Sequence, residues 1–238
     1  MITTVVFDLD DTLYDEIEYC KSGFAAVAEF LANLPEAAAA DTPTAPAFAE
    51  TRRIFATFWK QFTAGNRTKT FNAALDKLGI NYDDNLIGEL VEVYRNHVPK
   101  IALPQDSKDV LCQLNTKYTL ALLTDGFLPA QRLKVQALGI EKYFKCVVYT
   151  EQLGRNCWKP SPAGFEKLTQ IFKATPENMA YVADNEKKDF IAPNKLGFLT
   201  IQIIRSGGIH TASSGESGAA ARHVIRQISR LPALLEGL

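Results

Sequence analysis

The 238-residue sequence lacks the features that mark secreted, zinc-stabilised or membrane-spanning proteins. Its four cysteines form no CxxC pair and have no zinc-like spacing, so we interpret them as reduced packing residues. No uncharged apolar run approaches the ~18 residues that span a bilayer. The first residues also lack the basic segment and apolar stretch of a secretory signal. We therefore predict a cytoplasmic protein that binds no membrane.

The sequence also lacks an excess of charge of either sign. It has 26 basic and 27 acidic residues, for a formal net charge of -1. Such a chain has no long-range field to attract nucleic acid or an anionic membrane, so we expect neither as a partner. The three histidines are scattered, and we assign none of them a catalytic role. The sequence does not distinguish a monomer from a homodimer.

Short apolar runs alternate with helical patterns along most of the chain. Each run is continuously apolar, which is typical of strands covered on both faces in a parallel sheet. Strands that alternate with helices predict an α/β fold with a doubly wound parallel sheet. Ser161 and Pro162 are expected to open one helix, and Gly139 to end another. The predicted strands are residues 5–7, 120–123, 146–149, 179–183 and 200–204, with a short last strand at 223–225.

One region does not alternate. Residues 16 to 97 have a helical pattern and no convincing strand. We therefore predict an all-α domain of residues 16–100, inserted into an α/β core domain made of residues 1–15 and 101–238. Two loops are predicted to be mobile because they are rich in alanine and proline or in glycine, at residues 35–46 and 206–217. The candidate helices are 17–34, 47–63, 69–78 and 84–97, and an aromatic face of the second, Phe55, Phe58, Trp59 and Phe62, is interpreted as core.

Polar residues follow several predicted strands where those strands end. In open α/β sheets the carboxyl ends of the strands form the ligand crevice. Asp8 and Asp10 follow the first strand, Thr124 ends the second, and Asp184 follows the fourth. Lys159 lies in a loop stiffened by two prolines. We expect these five residues to converge on one crevice.

The spacing of the acidic residues favours a metal site. Asp8 and Asp10 can address the same small volume, where a divalent cation would relieve the repulsion between their charges. Mg²⁺ prefers carboxylate and carbonyl oxygens and leaves positions for water and phosphate. Asp184 suits a metal ligand, and Asp189 suits an orienting role behind it. The alternative is an acidic turn that caps the next helix.

Three segments of the chain could contact a phosphate. Thr124, Asp125 and Gly126 offer a hydroxyl and a backbone N–H at a helix entrance, although such a segment is often only a turn. Lys159 can balance phosphate charge, although a lone lysine is usually solvated. Arg67, in a loop between two candidate helices, could meet a second anionic group of a substrate or could be a solvated surface residue.

Taken together, these segments resemble the four motifs of the haloacid dehalogenase-like (HAD) hydrolase superfamily, in the family's order. The resemblance covers roughly residues 1–13 and 104–238 and implies a Rossmann-like core. The inserted helices resemble the helical cap domain of one subfamily. The motif residues are Asp8-Leu9-Asp10-Asp11-Thr12, Thr124, Lys159-Pro160, and Asp184 with Asp189.

The resemblance implies a role for each of these residues. Asp8 would be the nucleophile that forms an aspartyl-phosphate, and Asp10 the general acid and base. Thr124 and Lys159 would hold the transferring oxygens, with Asp125 and Gly126 beside the phosphate. The residues that would hold Mg²⁺ are Asp8, Asp184 and the backbone carbonyl of Asp10, with Asp189 orienting them.

The implied function is a Mg²⁺-dependent phosphohydrolase that cleaves a small phosphomonoester of the sugar phosphate or nucleotide type. Asp10 favours phosphoryl chemistry, because a dehalogenase needs only the aspartate nucleophile. A phosphomutase of the same fold and a non-catalytic ligand-sensing member remain alternatives. The sequence does not name the substrate.

Overall fold

A computed structural model describes residues 1–34, 47–209 and 215–238. The predicted mobile loop at residues 35–46 lies outside the described residues. The predicted glycine-rich loop at 206–217 is described only at residues 206–209 and 215–217.

Six parallel strands form a single sheet in the order β3-β2-β1-β4-β5-β6. The chain starts at β1 and adds strands on one side and then on the other, so the sheet is doubly wound, as predicted. The strands are β1 (Thr4–Phe7), β2 (Thr119–Thr124), β3 (Cys146–Tyr149), β4 (Met179–Ala183), β5 (Leu199–Ile203) and β6 (His223–Ile225).

Nine α-helices occur in the described part of the chain. They are α1 (Glu16–Ala32), α2 (Ala47–Thr63), α3 (Thr70–Leu78), α4 (Asp84–Asn96), α5 (Gln105–Leu114), α6 (Leu128–Leu138), α7 (Ala163–Phe172), α8 (Ile191–Leu196) and α9 (Leu231–Glu236). None of the described helices is both long enough and apolar enough to cross a membrane.

Several helices differ from the sequence prediction. Helix α5 was not predicted, although Val110, Leu111 and Leu114 form a buried stripe at helical spacing. Helix α7 begins one residue later than expected, because its N-cap residue is Pro162. The Ser161 hydroxyl oxygen still accepts a hydrogen bond from the backbone N–H of Ala163, at 3.4 Å.

The described residues form two compact units. The first comprises Met1–Ile17 and Ile101–Leu238 and contains the whole sheet. Strands β1 and β4 are buried along their full length, which explains their continuous apolar sequence. Phe165 packs edge-on against Tyr181 of β4, with ring centroids 4.8 Å apart. The carboxyl ends of the central strands therefore stand on a densely packed core.

The described part of the second unit, Glu18–Lys100, contains helices joined by loops and no strand. Phe24 stacks on Phe58 and packs against Phe62, at centroid distances of 6.0 and 5.4 Å. Phe58 and Phe62 are buried, as the predicted core face requires. Phe55 and Trp59 are only half-buried and stack on each other at the margin of this core.

Candidate active site

Three adjacent strands bring the predicted residues to one edge of the sheet. Phe7, the last residue of β1, pairs with Leu122 of β2 and Val182 of β4. Asp8 comes directly after β1, and Thr124 is the last residue of β2. Asp184 comes directly after β4. Because the three strands are parallel and in register, their polar ends meet in the first unit.

The ammonium group of Lys159 joins these strand ends. Its Nζ atom lies 2.6 Å from Asp8 Oδ1, 2.7 Å from Asp189 Oδ1 and 2.9 Å from the Tyr181 hydroxyl. The Tyr181 hydroxyl donates to Asp189 Oδ1 at 3.1 Å. All four side chains are buried. Three bonds occupy the three N–H groups of the ammonium, so its position is strongly determined.

Burial and charge shift the pKa values of this group in opposite directions. Burial raises the pKa of Asp8 to about 6, against the lowering effect of Lys159. Burial would also raise the pKa of Asp189, but Lys159 and Lys188 more than compensate and hold it below its usual range. Asp189 is therefore a permanent carboxylate that orients Lys159.

Asp184 differs from its neighbours in one of its carboxylate oxygens. Among the described residues, its Oδ2 atom is a buried side-chain oxygen with no hydrogen bond. Burial, followed by the charges of Asp189 and Asp8, raises the pKa of Asp184 to about 9. Carboxylate oxygens of Asp8, Asp184 and Asp189 lie within 4.8 Å of one another. An unpartnered buried oxygen beside two other carboxylates fits a hard divalent cation such as Mg²⁺.

Asp10 is held by residues that the sequence analysis did not identify. Its Oδ1 accepts from Lys134 Nζ at 2.8 Å and from the Tyr14 hydroxyl at 2.5 Å, and its Oδ2 accepts from Gln131 Nε2 at 2.9 Å. Burial has the largest single effect and would raise the pKa of Asp10, but the charge and hydrogen bond of Lys134, together with hydrogen bonds from Tyr14 and Gln131, outweigh it and make the net shift downward. Polar residues at two buried positions of α6 were the signal that could have revealed Gln131 and Lys134.

The Thr124-Asp125-Gly126 turn lies beside Asp10. Thr124 Oγ1 accepts from Gln131 Nε2 at 2.6 Å. The Asp125 carboxylate accepts from the Thr150 hydroxyl at 2.7 Å and from the Lys159 backbone N–H at 3.0 Å. Asp125 therefore fixes the loop that carries Lys159, and its carboxylate is already engaged. The Thr124 hydroxyl donates only a long hydrogen bond of 3.5 Å, to the Asp125 carbonyl oxygen. This geometry leaves that hydroxyl and the backbone N–H groups as the parts of the turn that could contact phosphate.

Arg67 belongs to the second unit, whereas the other predicted site residues belong to the first. It lies in the loop between α2 and α3, as predicted, and its side chain is exposed. Its guanidinium lies over the Phe62 ring at 5.2 Å.

A cavity of about 310 Å³ lies beside the strand ends, lined by residues of the first unit that include Asp10, Trp158, Lys159, Asp184 and Lys188. Two larger cavities, of about 460 and 530 Å³, are lined by none of the predicted site residues. Burial lowers the pKa of Lys188, as does the Lys159 ammonium. The carboxylates of Asp189 and Asp8 raise it, and the net shift is upward. Lys188 is therefore a cation on the wall of this cavity.

A family model for haloacid dehalogenase-like hydrolases matches residues 2–197. The chain belongs to this family. The sequence prediction of a haloacid dehalogenase-like hydrolase is therefore confirmed, as is the predicted α/β fold with a parallel sheet.

Relatives of this hydrolase include several phosphatases. It is 28% identical over 209 residues to a glyceraldehyde 3-phosphate phosphatase of Methanopyrus kandleri, covering 86% of this chain and 85% of the relative. It is 24% identical over 223 residues to a phosphoserine phosphatase of Thermus thermophilus, covering 84% and 88%. The crystal structure of a 2-haloacid dehalogenase from Pseudomonas syringae has the same fold. Its TM-score is 0.66 at 24% identity, with 100% of this chain and 99% of that chain covered.

Proposed function

We propose that this haloacid dehalogenase-like hydrolase is a Mg²⁺-dependent phosphatase of a small phosphomonoester. The observation that carries the proposal is the buried group of Asp8, Lys159 and Asp184, in which the Asp184 Oδ2 atom has no partner within the described structure. Such a group combines a nucleophile, a cation that orients it and a ligand for a metal. The phosphatase activity of the named relatives supports the same reaction.

The geometry of Asp8 suits nucleophilic attack. Its Oδ1 is held by Lys159 at 2.6 Å, whereas its Oδ2 accepts a long hydrogen bond of 3.5 Å from the Thr12 hydroxyl. Oδ2 is therefore the oxygen that would attack phosphorus, forming an O–P bond while the bond to the leaving alcohol breaks. Water would then attack the aspartyl-phosphate and release inorganic phosphate.

Asp10 would move the proton in both steps. It would donate to the leaving oxygen in the first step and accept from water in the second. Lys134 lowers the pKa of Asp10, which favours the base used in the second step. The approach of a phosphate dianion would raise this pKa and favour the acid used in the first. Thr124 and Lys159 would hold the transferring oxygens.

Mg²⁺ would be held by Asp8, Asp184 and the backbone carbonyl of Asp10, and would supply positive charge that screens the phosphate from the carboxylates. Asp189 would hold Lys159 in place behind this site, since its oxygens already bond Lys159, Tyr181 and the Asn185 backbone N–H. The helical unit would act as a cap that excludes water, with Arg67 as a substrate contact.

The size of the cavity favours a small substrate. Its volume of about 310 Å³ lies at the lower end of the ~300–1,000 Å³ range of ligand pockets. A phosphorylated sugar or other short metabolite is therefore a better match than a macromolecule.

The test is hydrolysis of p-nitrophenyl phosphate and a panel of phosphomonoesters, with Mg²⁺ or with EDTA. Wild-type protein should release phosphate only with the metal, and Asp8→Asn should lower kcat by at least about a thousandfold, since it removes the nucleophile. Asp109→Asn, on exposed α5 surface, is the matched control and should retain wild-type rates.

Two results would contradict the proposal. Activity that survives both EDTA and Asp8→Asn would exclude the mechanism. An isomerised sugar phosphate without net phosphate release would identify a mutase instead.

A further inference from the structure

The loop that connects the two aspartates after β4 presents one lysine to the cavity and another to solvent. The backbone N–H groups of Lys188 and Asp189 both donate to the Asn185 carbonyl oxygen, at 3.1 and 2.9 Å. The Asn185 side chain accepts from the Lys187 backbone N–H at 3.1 Å. In this turn Lys187 is exposed, whereas Lys188 is partly buried and lines the cavity.

The ammonium of Lys188 differs from the other two lysines near the site in having no close carboxylate. Lys159 is bonded to Asp8 and Asp189, and Lys134 to Asp10. Across residues 1–34, 47–209 and 215–238, no carboxylate oxygen lies within 4.0 Å of Lys188 Nζ. The catalytic scheme above also gives Lys188 no role.

The rest of the cavity wall disfavours a second anionic group. Asp10, Glu16 and Asp125 line it together with Asp184, and each would repel a further negative charge in its ionised form. Lys159 already bonds Asp8, Asp189 and Tyr181, and the proposed mechanism assigns it to the transferring phosphate. Lys188 is therefore the position on this wall where an added anionic group would be attracted.

We propose that Lys188 binds a carboxylate of the substrate, so that the preferred substrates are small phosphomonoesters that carry a carboxylate as well as the phosphate. This proposal rests on the proposed phosphatase function. A carboxylate matches the single charge of one ammonium. A second phosphate would bring up to two negative charges into a cavity already rich in acidic groups.

The test compares two substrates with the same three-carbon skeleton. 3-Phosphoglycerate ends in a carboxylate, and glycerol 3-phosphate ends in a hydroxymethyl group. Wild-type protein should have the lower KM for 3-phosphoglycerate. Lys188→Gln should reduce that preference about tenfold, which is the usual effect of losing one charge-assisted hydrogen bond.

Two further variants separate recognition of the carboxylate from a loss of structure. Lys188→Arg keeps the charge and should keep most of the preference. Lys187→Gln removes the neighbouring exposed charge and should leave both KM values unchanged. The proposal is overturned if wild-type protein hydrolyses glycerol 3-phosphate with a KM equal to or lower than its KM for 3-phosphoglycerate. It is also overturned if Lys188→Gln raises the KM of both substrates by the same factor, because the lysine would then bind the transferring phosphate.

A binding measurement keeps the test independent of turnover. Dissociation constants for both compounds are measured by calorimetry in the Asp8→Asn background, with and without Lys188→Gln. A carboxylate preference that disappears with Lys188→Gln supports the proposal even if wild-type protein hydrolyses neither compound, a result that would count against the phosphatase function alone. Equal binding of the two compounds in the Asp8→Asn background overturns it.

Discussion

The three aspartates that carry the proposed chemistry differ in what holds their oxygens. Both oxygens of Asp10 accept hydrogen bonds, from Lys134, Tyr14 and Gln131. Asp8 has one oxygen held closely by Lys159. Asp184 has a buried oxygen without a partner in the described structure. The proposed proton carrier, Asp10, thus has both oxygens bonded. The proposed nucleophile, Asp8, has one oxygen held closely, and the proposed metal ligand, Asp184, has one oxygen left for a metal.

At the scale of one residue, a substitution of Lys134 tests whether this lysine lowers the pKa of Asp10. It is buried and lies 2.8 Å from Asp10 and 3.6 Å from Glu16. Lys134→Met should destabilise the protein by about 3 kcal/mol, because it leaves two partly buried carboxylates without a counter-charge. The pKa of Asp10 should rise, so the pH–rate profile should move to higher pH. Urea unfolding and rates measured between pH 5 and pH 9, about the working range of such groups, check both effects.

The control for this prediction is Lys108→Met, which removes an exposed lysine from α5. Its effect on stability should remain within about 0.5 kcal/mol. A pH–rate profile that is identical in wild type and Lys134→Met would show that Lys134 does not govern the proton transfer.

At the scale of elements, helix α6 links two of the site loops. It follows the Thr124-Asp125-Gly126 turn, and the Gln131 amide donates to both Thr124 and Asp10. Gly126 has a φ of 130°, and a Cβ there would lie 3.0 Å from the Gln131 side chain. Gly139 ends the helix with a φ of 61° and has open space around it. The two glycines thus have separable roles.

Gly126→Ala and Gly139→Ala should separate stability from catalysis. Each places a side chain in left-handed backbone and should cost about 1 kcal/mol. Only Gly126→Ala should also lower kcat, by about tenfold or more, because it displaces Gln131 from Thr124 and Asp10. Urea unfolding and kcat of both variants test this. Equal kcat values would mean that Gln131 does not position the site.

At the scale of the whole molecule, the total charge is near neutral, but a cluster of buried aspartates lies at one edge of the sheet. The pKa of Asp184 rises from 3.8 to about 9 and that of Asp8 from 3.8 to about 6. Folding therefore favours the protonated form of both groups. Their contribution to the stability of the metal-free protein is fully present below about pH 4, near the usual value for aspartate. It is lost progressively as the pH rises through these folded-state pKa values.

Asp184→Asn should remove the loss of stability that ionisation of the buried Asp184 causes at high pH. In EDTA at pH 8 the variant should be more stable than wild type by more than about 1 kcal/mol, and the difference should shrink toward pH 4. Saturating Mg²⁺ should stabilise wild type by about 3 kcal/mol at a hundredfold excess over its dissociation constant. It should stabilise the variant much less. Urea unfolding with EDTA and with Mg²⁺ makes the measurement, and equal stabilisation of both proteins would show that Asp184 is not a metal ligand.

Much of the fold followed from local pattern. Strands β3, β4 and β6 have the predicted ends, and the other strands differ by about a residue, the usual uncertainty of element boundaries. Continuous apolar runs were sufficient to predict the strands, because both faces of the sheet are covered. Helix α5 was missed although its apolar stripe is present. Phe55 and Trp59 were expected in the core but lie at its margin, because helical spacing alone does not measure how far a packed core extends.

The sequence by itself determined the parallel sheet, the family and the order of the motifs, because these depend on residue type and short-range spacing. Only the tertiary structure decided the partners of each charge. Asp10 meets Gln131 across 121 positions, and Asp8 meets Lys159 across 151. Tyr181 looked like one more apolar strand residue until its hydroxyl was found against Lys159 and Asp189. Hydrogen bonds and pKa values depend on distances between side chains, and folding brings together groups that no local pattern connects.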